Sequence, residues 1–174
     1  QRLMILATNG FEQSELEQPK SNLEDAGYET VVVSPEDGEI NGWDENDWGN
    51  SVQVDLSVNE AEAGAFDALL LPGGQINPDI LRMNDKVVQL VRDFCSTGMP
   101  VAAICHAPWL LVEAGVVDGK TVTSWPSVRT DLANAGGKVV DHEVAVDGNL
   151  ITSRNPNDIP AFSNALIAAL EERR

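Results

Sequence analysis

Cys105 is followed directly by His106, at the end of the apolar run Val101-Ala102-Ala103-Ile104 and just ahead of the helical pattern Pro108-Trp109-Leu110-Leu111. A thiol held on such a turn could serve as a nucleophile. A strand-to-helix turn of this kind holds a nucleophile on a tight bend at the carboxyl edge of a sheet. The start of the following helix would stabilise a thiolate and lower its pKa. Small Ala107 leaves room for a substrate to approach. The competing reading is a buried structural cysteine, which is how the residue usually behaves outside a motif.

A second apolar run, Leu69-Leu70-Leu71, ends in Pro72-Gly73-Gly74. Two glycines there allow backbone N–H groups to face a cleft, where ligands of open α/β sheets bind and where an oxyanion could be held. Alone, Pro-Gly-Gly is also simply a turn. Asn9-Gly10-Phe11-Glu12 follows the first apolar run, so Glu12 belongs at the same edge; otherwise it is a helix-start acid favoured by the macrodipole. His142 has no partner at a metal-like spacing and reads as a surface side chain, while Cys95 falls on a helical stripe and reads as core. The chain has no P-loop, no Gly-x-Gly-x-x-Gly and no zinc-type Cys/His set, so neither metal nor cofactor is expected.

The elements that must position these residues are legible from hydrophobic period. Leu3–Ala7, Thr30–Val33, Ala68–Leu71 and Val101–Ile104 are short continuous apolar runs, the pattern of parallel strands covered on both faces. Between them, 14–26 reads as a helix stopped by Gly27, with Pro19 at a kink or fresh first turn. The stretch 85–97 puts Val87, Val88, Val91, Phe94 and Cys95 on one stripe, with Asp85 as N-cap. Residues 35–51 carry Asp37-Gly38, Asn41-Gly42 and little periodicity, reading as a surface hairpin or excursion. Short strands are expected at 138–140, 143–146 and 150–152, the last two joined by Asp147-Gly148-Asn149, and a closing helix at 159–170. The sum is an α/β fold, a flavodoxin-like three-layer sandwich with a mostly parallel sheet, helices on both faces and a nucleophile elbow. With no linker or repeat, a single domain over 1–174 is expected.

Bulk composition narrows the setting. The 174 residues are 43% hydrophobic and 22% charged, ordinary for a globular protein, and no apolar run is long enough to span a bilayer. Two cysteines and no signal-peptide pattern point to a reducing, cytoplasmic compartment. The net charge of −17, from 28 acids against 11 basic residues, excludes a phosphate backbone as partner. The acids are spread along the chain, so they read as a solvated surface, of the kind a salt-rich, halophilic cytosol would screen.

Taken together, Gly10-Phe11-Glu12, Pro72-Gly73-Gly74, Ala103-Ile104-Cys105-His106 and 152–158 (Thr-Ser-Arg-Asn-Pro-Asn-Asp) resemble the PfpI family of intracellular proteases. This family lies in the ThiJ/PfpI superfamily, with its class I glutamine amidotransferase-like fold, and the resemblance spans nearly the whole chain. Gly42-Trp43-Asp44 and the segment 123–129 also resemble a general stress protein branch. The resemblance implies Cys105 as nucleophile, Glu12 sharing a proton with the sulfur, and His106 as general base and acid. It further implies Asp79, where the family has glutamate, as the acid that a neighbouring subunit sends to His106. It implies an oxyanion hole from Gly74 and the His106 N–H, and a pocket of Gly73, Ala107, Trp109, Trp125 and Arg154. Ala107 replaces the usual glycine, which would narrow access by a methyl group. The family's assemblies imply a homodimer or a trimer of dimers.

Three functions compete. The first is a cysteine hydrolase acting on peptide or amide bonds. The second is a deglycase or glyoxalase acting on methylglyoxal-type carbonyls with the same residues. The third is a redox-responsive stress protein or holdase. An amidotransferase would need a late His-x-Glu pair and a serine hydrolase a Gly-x-Ser-x-Gly, and the chain has neither.

Overall fold

Each of the central strands is apolar on both sides, and in the computed structural model, which describes residues 1–173, both sides are covered. The elements run β1 (Arg2–Leu6), β2 (Phe11–Glu12), α1 (Gln13–Asp25), β3 (Glu29–Ser34), β4 (Glu39–Asp44), β5 (Asp47–Gln53), β6 (Leu56–Ser57) and β7 (Ala68–Leu71). They continue with α2 (Ile76–Leu81), α3 (Asp85–Ser96), β8 (Val101–Ile104), α4 (Pro108–Ala114), β9 (Thr121–Val122) and α5 (Arg129–Asn134). The chain closes with β10 (Lys138–Val139), β11 (Ala145–Asp147), β12 (Leu150–Ser153) and α6 (Ile159–Glu171).

A seven-stranded sheet has the order β11-β12-β8-β7-β1-β3-β6. Every pair in it is parallel except β11 with β12. The strand period of two sorts its side chains onto opposite faces. Met4, Leu6, Leu69, Leu71, Val101 and Ala103 pack with Val87, Val91 and Phe94 of α3, Leu110 and Leu111 of α4 and Leu132 of α5. Leu3, Ile5, Leu70, Ala102 and Ile104 pack with Leu16 and Leu23 of α1 and Phe162 and Leu166 of α6. The flavodoxin-like architecture with helices on both faces is therefore the observed one.

Two local expectations need correction. Helix α1 runs unbroken through Pro19, whose missing N–H leaves the Glu15 carbonyl without its i+4 donor. The N-cap of α3 is Asn84, whose side chain accepts from the Val87 N–H at 3.1 Å, and Asp85 is the first helical residue. The hairpin expected over 35–51 is present as antiparallel β4–β5, and β2 joins it in a second small sheet that carries Glu12. No helix among the described residues is long and apolar enough to cross a membrane.

Candidate active site

Cys105 sits at the carboxyl end of β8 with φ +66°, a left-handed conformation that a non-glycine residue rarely adopts. The bend is held from both sides. The Cys105 N–H donates to Ser153 O at 3.0 Å, continuing the β8–β12 ladder, and its carbonyl accepts from the Trp125 N–H at 2.9 Å. Adjacent side chains on an extended strand diverge, but here the bend brings His106 Nδ1 to 3.1 Å from the sulfur. The thiol is 6% exposed.

The turn after β7 is shaped around this sulfur. A Cβ on Gly73 would come within 2.6 Å of both Cys105 Cβ and the Ile104 carbonyl, so only glycine fits. Gly74 has φ +87°, open to glycine at little cost, and its N–H points at the sulfur together with that of His106. The two amides expected to hold an oxyanion are thus aimed at the thiolate itself. Asn77, fully buried, pins this turn: its Oδ1 accepts from Thr8 N–H at 2.7 Å, and its Nδ2 donates to Pro72 O at 2.9 Å and Gly73 O at 3.2 Å.

The acid beside the sulfur is Glu15, not Glu12. Glu15 is wholly buried on α1, its Oε1 accepting from the Gly73 N–H at 3.1 Å. Among the described residues its Oε2 has no hydrogen-bond partner, and the carboxyl lies close enough to the Cys105 side chain for the two to interact. Burial, reinforced by the nearby Glu12 charge, pushes the Glu15 carboxyl up to about 8. At neutral pH it therefore keeps its proton and can donate to the sulfur. Glu12, three residues earlier, is only partly buried and lines an acidic cleft of about 440 Å³ with Glu17, Asp44 and Glu45. Burial and the Asp44 charge raise its pKa as well.

Burial raises the Cys105 pKa, a Glu15 carboxylate raises it further, and the Gly74 and His106 amides lower it. A proton resting on Glu15 removes that second cause and converts the carboxyl from a repulsive charge into a donor. The imidazole of His106 is 9% exposed, and its burial lowers its pKa, so it is neutral at pH 7. Its ring stacks on Trp125 at 5.6 Å and meets Trp109 edge-on at 5.1 Å.

The remaining expected site residues fall into two groups. Gly73, Gly74, Trp109 and Trp125 surround the Cys105–His106 pair. Ala107 does not line a pocket: it is fully buried, and its methyl joins the core cluster of Leu110 and Leu111, so it does not narrow access. The Arg154 guanidinium is committed elsewhere, donating to both Asp158 oxygens at 2.9 and 3.0 Å and to Asp141 at 3.0 Å. Asp79 is exposed on α2 and forms no hydrogen bond or ion pair with His106 within the chain, among the described residues. Glu15 and Asn77 were missed. The available signal was a carboxylate on the same helical stripe as Pro19 and Leu23, where an apolar residue belongs.

The DJ-1/PfpI family model matches residues 1–169. The chain belongs to the DJ-1/PfpI family. Deglycase PfpI of Pyrococcus furiosus is 41% identical over 170 residues, covering 98% of this chain and 99% of that protein. The putative cysteine protease YraA of Bacillus subtilis is 37% identical over 171 residues, covering 98% of each. Among solved structures, Drosophila melanogaster DJ-1beta superposes with a TM-score of 0.86 at 30% identity, over 99% of this chain and 94% of its own. This DJ-1/PfpI member thus matches, over 98% of the chain, relatives named as enzymes of two kinds.

Proposed function

We propose that this DJ-1/PfpI protein is a Cys105-dependent deglycase that acts on early adducts of methylglyoxal-type dicarbonyls with amines. The observation that carries the reading is the buried Glu15 carboxyl beside the Cys105 side chain, where burial favours its neutral form. Deglycation needs a thiolate together with a group that can give and take a proton at one carbon. The thiolate attacks the carbinolamine carbon, and the amine leaves with a proton supplied from Glu15 or His106. The resulting hemithioacetal loses its C–H proton to the same base and regains a proton on the neighbouring carbon. This gives a thioester, which water cleaves to a hydroxy acid and the free thiol. The substrate is internally oxidised at one carbon and reduced at the other, so no external redox partner enters. Relatives named as deglycases support this over a peptidase, the reading that the resemblance to PfpI proteases put first.

The test measures amine release and hydroxy-acid formation by NMR from a methylglyoxal-treated amine, with a fluorogenic peptide assayed in parallel. Early adducts revert spontaneously, so the hydroxy acid, not aldehyde loss, is the diagnostic product. Its formation by the wild type and not by Cys105→Ala supports the reading. Peptide cleavage with no hydroxy acid overturns it in favour of the peptidase.

Asp79 shares α2 and the following turn with exposed Ile76, Ile80 and Met83, the last 74% exposed. A second copy docked on this apolar face would carry its own Asp79 toward a neighbour's His106. Met83→Lys should then lower the mass seen by light scattering, and an unchanged mass removes this face from the assembly.

A further inference from the structure

We propose that Trp109 and Asp131 are positioning residues for His106, Trp109 acting as a wall that fixes the imidazole and Asp131 as the anchor that fixes the indole. Trp109 lies in the first turn of α4, its backbone N–H donating to His106 O at 3.0 Å, so the two side chains share one rigid bend. The indole and the imidazole meet in a T-shaped contact at a centroid distance of 5.1 Å and an interplanar angle of 62°. Across the site Trp125 stacks on the imidazole at 23°, and its own N–H is bonded to Cys105 O. The imidazole is thus held by a stacked indole and a T-shaped indole contact, with Nδ1 left on the sulfur.

The far side of Trp109 is tethered twice. Its Nε1–H donates to Asp131 Oδ2 of α5 at 2.9 Å, and the Arg82 guanidinium lies 5.7 Å over its ring. Arg82 is itself held by Glu113 at 3.0 Å. Asp131 is exposed, so water could satisfy that indole N–H and folding has little need of the bond. What the bond adds is a fixed indole orientation, and with it a fixed imidazole. This inference rests on Cys105 and His106 as the reacting pair, whatever their substrate.

The experiment follows His106 by NMR titration and Cys105 by iodoacetamide alkylation across pH. Neither readout needs turnover, so failure of every adduct assay would sink the deglycase reading and leave this test intact. Asp131→Ala should slow alkylation several-fold and move the His106 titration upward toward its ordinary 6.5, as water enters the loosened clamp. Trp109→Leu should do more, slowing alkylation on the order of 100-fold, the loss typical of about 1 Å of misplacement. Asp131→Asn, which keeps an acceptor oxygen, should restore most of both. Unchanged titration and alkylation profiles in Asp131→Ala overturn the proposal. So does an Asp131→Asn variant as impaired as Asp131→Ala, or losses that follow only the unfolded fraction seen by circular dichroism.

Discussion

Replacing Glu15 by glutamine removes a titration without removing the shape of the side chain, and its consequence for stability can be worked from the structure. The Glu15 carboxyl titrates near 8 in the fold against 4.5 as its ordinary value. Between those two values the unfolded chain has lost the proton and the folded one keeps it, so stability falls as pH rises. The fall is complete near pH 8 and amounts to an upper limit on the order of 5 kcal/mol, at about 1.4 kcal/mol per pH unit. Since domains of this kind are stable by about 5–15 kcal/mol, the effect is visible in urea melts. The lowered His106 pKa works in the opposite sense, making stability rise with pH below its ordinary 6.5, and the raised Glu12 pKa adds to the fall. The quantity to compare is therefore the difference between wild type and Glu15→Gln at each pH. That difference should grow in favour of the variant from pH 5 to pH 8. The same substitution exchanges an O–H donor to the thiolate for a weaker amide N–H. It should raise the Cys105 pKa by roughly one unit and slow alkylation about tenfold below that pKa. Parallel pH–stability curves for the two proteins would refute a buried neutral Glu15, and with it the proton shared with Cys105.

Other outcomes follow from the same geometry. Gly73→Ala should destabilise the fold by several kcal/mol and abolish thiol reactivity, because its Cβ would meet Cys105 Cβ and Ile104 O at 2.6 Å; thermal melts and alkylation check both. Arg154→Gln should leave a charged Asp158, only 3% exposed, without its bidentate partner, costing about 2–4 kcal/mol in urea melts. Because Asp158 already raises the Glu15 pKa, this variant should hold the Glu15 proton to higher pH and so keep Cys105 alkylation from slowing above pH 8. With a net charge of −17 spread over the chain, Tm should climb as KCl rises from about 0.1 to 1 M, where the screening length drops from about 10 to 3 Å; a flat response removes the halophilic expectation.

The apolar runs at β1, β3, β7 and β8 were readable in one dimension because a strand buried on both faces needs no alternation, and their shortness between turn signals separates them from a buried helix. The elbow at Cys105 was readable for a related reason: a strand, a nucleophile and a helix start must be contiguous for the bend to exist. Where β2 and the β4–β5 hairpin would pair was not readable, since pairing between distant segments leaves no local period.

The acid of the site shows the limit most sharply. Glu12 and Glu15 are both acids near the start of α1, and local sequence favours Glu12, which directly follows the first strand and turn. The helix phase decides otherwise. Residue 15 shares a stripe with Pro19 and Leu23 and faces the sheet, where the Gly73 N–H and the sulfur wait for it. Residue 12 sits on a small sheet beside Asp44. Ala107 and Arg154 teach the same lesson, since the Ala107 methyl packs into the core and the Arg154 guanidinium is engaged by two aspartates. Sequence by itself determined which residues are chemically able. Packing, which sets burial and direction for each side chain, alone decided which of them touch the sulfur.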